Sequence, residues 1–244
     1  MIAIGVNASG LTYPSIQIHL SDGVFTQARC ATGGSMKFEV LAGPGFAVFT
    51  TRDLAIAAGI TVASATRQLG AAAERGALVR LTRGIWANRL HPEFHPLAAV
   101  PKIIGPEEGH VSFLTALHLH GVISPIPRTM QLATTGHGRT LETPIGTYEL
   151  FRLSPTMMRE GIVWSETRAP YRIATAEKAL IDTLYISSYR GRRFKSLPEL
   201  DLEQLRTRRL APLLEQIRSA RARAAVARRL SALDVAPVTA RAKR

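Results

Sequence analysis

Between Phe49 and Asn88 the chain carries helix start and stop signals at a spacing that leaves few options for its local fold. Thr50-Thr51-Arg52-Asp53 offers a threonine oxygen to the orphan N–H groups of a helix and a carboxylate to its positive end. Leu54, Ala57 and Ala58 then make a short apolar face, and Gly59 ends it with a residue that tolerates left-handed backbone. Thr61 can cap a second helix over 61–75, in which Ala65, Leu69 and Ala72 recur at core spacing before Gly76 closes it. Leu78–Leu81 and Ile85–Asn88 read as short strands around a hairpin tip at Thr82-Arg83-Gly84. Helix, tight glycine turn, helix and basic hairpin is the layout of a winged helix-turn-helix, whose second helix enters the major groove of DNA.

Charge points the same way. Thirty-one basic side chains face eighteen acidic ones, for a formal net charge of +13. Residues 49–89 hold six arginines against Asp53 and Glu74, and residues 190–244 hold fifteen basic groups against five acidic ones. The stretch between them is near neutral. Such an excess suits a polyanionic partner, double-stranded DNA before an anionic membrane. On the helix over 61–75, Thr61, Ser64, Arg67 and Arg75 fall away from the core positions. Arg67 is placed to donate twice to guanine O6 and N7, and Thr61 and Ser64 to bind phosphates or adjacent bases. Arg80, Arg83 and Arg89 suit phosphates along the hairpin.

Past Asn88, Pro92, Pro96, Pro101 and Pro106 favour an extended linker or a loop-rich domain entrance over 90–106. An α+β domain over 107–200 follows. Ser112 is expected to cap a helix carrying Phe113, Ala116, Leu117 and His120. Met130–Thr134, Thr147–Leu153 and Gly161–Trp164 read as strands, and Thr175 caps a helix through Tyr189 with an Ala176, Ala179, Leu180, Thr183 and Leu184 stripe. Residues 201–244 read as one basic helix and a frayed tail: Leu210, Leu213, Leu214, Ile217 and Ala224 pack, while Arg218, Arg221, Arg223, Arg228 and Arg229 stay outside. Residues 1–35 lack sustained periodicity, so a disordered leader or a true start at Met36 is expected. The fold class is therefore α+β: an N-terminal winged helix-turn-helix over 36–89, a mixed α+β domain and a basic C-terminal helix.

Met1–Ser21 has neither a basic n-region nor a continuous apolar run, and Cys30 is the sole cysteine, which together point to a cytoplasmic protein without membrane attachment. No phosphate-binding loop, dinucleotide fingerprint or nucleophile elbow occurs, so neither enzyme activity nor a cofactor is expected. His91-x-x-x-His95 is followed by Pro96, and His118 and His120 diverge on a helix, so no metal site is expected. Glu177 suits the first turn of its helix, and Lys178 and Asp182 form an i,i+4 pair with a structural role.

Two stretches resemble a known family when read with the helix pair ahead of them. His110-Val111-Ser112-Phe113-Leu114-Thr115-Ala116-Leu117-His118-Leu119-His120-Gly121-Val122-Ile123 resembles a helix, His-Gly, turn motif. Ile173-Ala174-Thr175-Ala176-Glu177-Lys178-Ala179-Leu180-Ile181-Asp182-Thr183-Leu184-Tyr185 resembles an A-[ST]-x-E-K-A-L-x-D-x-L-Y motif. Together they look like the AbiEi antitoxins of type IV toxin–antitoxin systems, predicted transcriptional regulators of viral defence, over about residues 49–190. The resemblance implies an N-terminal winged helix that represses its own operon at inverted repeats. It also implies a second domain that counteracts a nucleotidyltransferase toxin. The family has a full helix ahead of the segment beginning here at Phe49, whereas Met36–Gly45 offers a short one broken by Gly43-Pro44-Gly45. The alternative is an antitoxin that contacts its toxin without binding DNA.

Overall fold

The computed structural model describes residues 38–189, 194 and 196–235. The expectations for 1–35 and for the tail over 238–244 lie outside them. The fold is mixed α+β, with eight α-helices and two sheets among the described residues.

The first part runs α1 (Phe38–Leu41), β1 (Val48–Thr50), α2 (Thr51–Ala58), α3 (Val62–Glu74), β2 (Val79–Thr82) and β3 (Ile85–Ala87). Local chemistry sets its boundaries. The Thr50 hydroxyl accepts from the Asp53 N–H at 3.1 Å and the Asp53 carboxylate accepts from the Thr50 N–H at 2.8 Å, a reciprocal capping box. Gly59 ends α2 at φ 63°, a left-handed conformation that would strain a side-chain-bearing residue. Thr61 opens α3 by accepting from the Ser64 N–H at 3.2 Å.

The three strands pair antiparallel in the order β1-β3-β2, and their period-2 alternation divides this small sheet between two cores. Phe49 and Trp86 join Leu54, Ala65, Leu69, Ala72 and Leu78 in the first core. Val48, Leu81 and Ala87 face the second, larger core, which the rest of the chain builds. The Trp86 indole N–H is satisfied by the Thr51 hydroxyl at 3.0 Å, which lets the ring be buried.

Residues 90–106 do not run as an extended linker. They carry a 3₁₀ turn at Pro96–Ala99 and α4 (Val100–Ile104), with Ala99, Val100, Ile103 and Ile104 buried. Pro96 and Pro101 sit in first turns, where a missing N–H costs no hydrogen bond, so proline did not exclude a helix here. Lys102 on α4 meets Asp53 on α2 at 2.6 Å. That carboxyl is held below the usual carboxylate range, because Lys102 and the Thr50 bonds outweigh the upward push of partial burial.

The second part runs β4 (Gly109–Val111), α5 (Phe113–Leu119), β5 (Met130–Thr134), β6 (Arg139–Thr143), β7 (Gly146–Arg152), β8 (Ile162–Trp164), β9 (Arg172–Ala174), α6 (Ala176–Tyr189), α7 (Leu210–Glu215) and α8 (Ala220–Ser231). Its six strands form one mixed sheet in the order β6-β7-β5-β4-β9-β8. Gly136 lies in the turn before β6, where the Glu107 carboxylate occupies the space a Cβ would need. The central helix α6 is buried almost all round, packed against α5, α7 and α8.

Two local expectations are corrected. The basic C-terminal helix is two helices, α7 and α8, because Ser219 accepts from the Ala222 N–H at 3.3 Å and starts a new one. The buried stripe of α8 is then Ala222, Val226 and Leu230, while Ala224 is exposed. Ser112 stands at the start of α5 but makes no capping bond: its hydroxyl donates to a buried carboxylate, Asp182, and the Leu114 N–H is taken by the Gln131 side-chain carbonyl at 2.9 Å.

Candidate nucleic-acid interface

α3 turns Ala65, Leu69 and Ala72 inward and leaves Thr61, Val62, Ala63, Thr66, Arg67, Glu74 and Arg75 exposed. Arg67 is exposed on a face away from those buried positions. The two hydroxyls expected to meet DNA already have internal roles: Thr61 caps the helix, and the Ser64 hydroxyl accepts from the Gln68 amide at 3.4 Å. An accepting hydroxyl keeps its own proton for donation, so both can still reach a phosphate.

Arg80 and Arg83 lie on the β2–β3 hairpin and are exposed. Arg80 places its guanidinium over the Trp86 ring, 5.7 Å from the centroid, which orders a long side chain at the surface. Arg89 is exposed too, but stands in the turn after β3 rather than on the hairpin. The hairpin is short, and its Leu81 and Ala87 side is committed to the second core. Arginine is therefore offered by α3, by the other side of the hairpin and by the turn beyond it.

Gly70 is a further feature of α3 that no sequence motif marks. It sits mid-helix, and a Cβ there would meet nothing within 4 Å. Packing inside the chain does not require glycine, although glycine weakens a helix interior. Gly70→Ala is expected to stabilise the chain by about 0.5–1 kcal/mol, read as a raised urea midpoint. A lowered midpoint would mean that the protein itself needs the gap.

A second cluster of polar groups lies in the core, where sequence reasoning saw only a helical ion pair. Lys178 and Asp182 on α6 are paired with side-chain exposures of 1% and 0%. The Ser112 hydroxyl donates to Asp182 Oδ2 at 2.7 Å and His110 Nε2 approaches the same oxygen at 3.5 Å. Burial pushes the Asp182 carboxyl up, yet the Lys178 ammonium and the His110 contact hold it below the usual range. Burial also pushes His110 below its ordinary value, against the upward pull of Asp182. Glu177 accepts the Arg206 N–H at 2.8 Å and so ties the start of α6 to the C-terminal segment. The cluster is closed to solvent.

Acid is expected to weaken this core in a defined window. His110, and the half-buried His95 beside Tyr171, are both shifted below 6.5, chiefly by burial. The unfolded chain therefore binds protons that the folded one refuses. Their contribution is complete above about pH 6.5 and is lost as pH falls through the folded values; Asp182 adds a further loss below about pH 3.9. Thermal unfolding between about pH 7.5 and pH 5 should show a midpoint that falls with acid, and a flat profile would contradict the assignment.

The remaining histidines of interest contact backbone carbonyls: His91 Nε2 with Gly43 at 3.1 Å, His118 Nδ1 with Ile123 at 3.3 Å and His120 Nε2 with Ala174 at 2.7 Å. Among the described residues, no group of three His, Cys, Asp or Glu side chains is arranged to hold a metal ion, and no helix is long and apolar enough to cross a membrane. Arg223 and Arg229 on α8 contact the Ile217 carbonyl and the Ser187 hydroxyl, so they do not simply extend a solvated basic face. No protein-family model and no curated protein sequence matches the chain.

Proposed function

We propose that this protein is a DNA-binding autorepressor and antitoxin of the AbiEi type, with a winged helix-turn-helix at 36–89 and α3 as the recognition helix. The observation that carries the DNA-binding half is the exposed Arg67 on a face of α3 directed away from Ala65, Leu69 and Ala72, with Arg80 and Arg83 on the hairpin after it. A guanidinium on such a helix can read a guanine edge while hairpin arginines neutralise phosphates. Thr61, Ser64, Arg75 and Arg89 would add backbone contacts. The antitoxin half rests on the resemblance carried by residues 110–123 and 173–185, in which Lys178 and Asp182 hold the domain together. Its functional partner would be a nucleotidyltransferase toxin in the cytoplasm, and its nucleic-acid partner an operator duplex with inverted repeats. Co-expression with an AbiEii-type nucleotidyltransferase tests the antitoxin role: restored growth supports it, and unrelieved growth arrest removes it.

One observation favours a second reading, in which the helix pair is an assembly module and the antitoxin acts by contacting its toxin. Leu81 and Ala87 turn a side of the small sheet into the second core, so this part of the chain already serves packing. Co-purification with the toxin together with no DNA preference would favour that reading.

A further inference from the structure

The first turns of α3 expose apolar groups, and the hydroxyls among them each take part in a hydrogen bond within the helix or its cap. Val62, in the first turn, is 51% exposed despite being a branched aliphatic residue. Ala63 beside it is exposed as well. Thr66 is exposed, but its hydroxyl donates to the Val62 carbonyl at 2.8 Å. That bond uses one branch of the side chain on the helix itself and leaves the γ-methyl as the branch available to a ligand. The Thr61 and Ser64 oxygens are engaged in the cap and with Gln68. Residues three and four apart on a helix are neighbours, so Val62 adjoins Thr66, Thr66 adjoins Ala63 and Ala63 adjoins Arg67, an apolar patch running up to the guanidinium-bearing side chain.

In the major groove only thymine presents a methyl group, and apolar side chains recognise it by contact. Resting on the proposal that α3 is the recognition helix, we infer that Val62, Ala63 and Thr66 read a thymine methyl next to a guanine taken by Arg67. The same patch selects DNA over RNA, because uracil lacks the methyl and the major groove of an RNA helix is too narrow for side-chain reading.

The test begins with selection of the preferred duplex from a random double-stranded DNA library by the full chain. Each thymine of the selected site is then replaced by 2′-deoxyuridine, which keeps every hydrogen bond and removes only the methyl. Uracil beside the essential guanine is expected to weaken binding about fourfold, the value of one buried methyl or methylene group. Val62→Ala and Thr66→Ser should each reduce that discrimination. The serine keeps the hydroxyl bond to Val62 and loses only the methyl, so a folding defect is not the cause. If a site is selected but uracil is tolerated at every position, or both variants still discriminate fully, the thymine reading is overturned and operator binding stands. If no sequence is selected at all, both fail.

Discussion

Lys178→Met is expected to destabilise the protein by about 3–5 kcal/mol, because it leaves the Asp182 carboxylate buried without its cation. That is a large share of the ~5–15 kcal/mol that holds a domain together. Lys178 and Asp182 are nearly without solvent access, and Ser112 and His110 converge on the same carboxylate. Urea denaturation of the variant should show a much lower midpoint with an unchanged slope. The double variant Lys178→Met, Asp182→Leu should recover much of the loss, since an apolar pair of similar volume removes both desolvation penalties. Recovery should improve again with Ser112→Ala, because the hydroxyl would otherwise lose its buried acceptor. A single variant within about 1 kcal/mol of the parent would contradict the assignment of a dry, paired cluster.

Arg67→Ala is expected to cost about 1–3 kcal/mol in binding to the preferred DNA sequence and much less on random DNA, the signature of a bidentate base contact. Arg80→Ala and Arg83→Ala should instead weaken both duplexes alike and reduce the salt slope. Parallel titrations of each variant on specific and scrambled DNA separate the two cases. Equal loss on both duplexes for Arg67→Ala would make it a phosphate contact.

These two expectations draw on parts of the chain that were unequally legible in sequence. The Thr50–Asp53 box, the Gly59 stop and the Thr61 cap each act over no more than four residues, and they mark α2 and α3 without any tertiary contact. The face of Arg67 followed from the 65, 69, 72 spacing alone. The surroundings of Lys178 did not, because His110 and Ser112 reach Asp182 from some 70 residues away in the chain. A Lys–Asp pair at i,i+4 looks the same in sequence whether it is solvated or buried.

Several strands are hard to read from sequence for physical reasons too. Gly109–Val111 and Arg172–Ala174 are three residues each and lie directly before helices whose stronger pattern absorbs them. Arg139–Thr143 is an edge strand with largely exposed residues, so it lacks the alternation that marks a half-buried strand. The break between α7 and α8 was readable in principle, since Ser219 precedes Ala222 at capping distance. The continuous basic composition of the region hid it.

Operator recognition is decided by binding of the full chain to its own upstream promoter DNA against a scrambled duplex, across a salt series. Preference for the promoter should persist as salt rises while both affinities fall steeply, because phosphate contacts are lost to counterions and base contacts are not. Equal affinity for the two duplexes at every salt concentration would contradict it, leaving only a basic chain that binds polyanions.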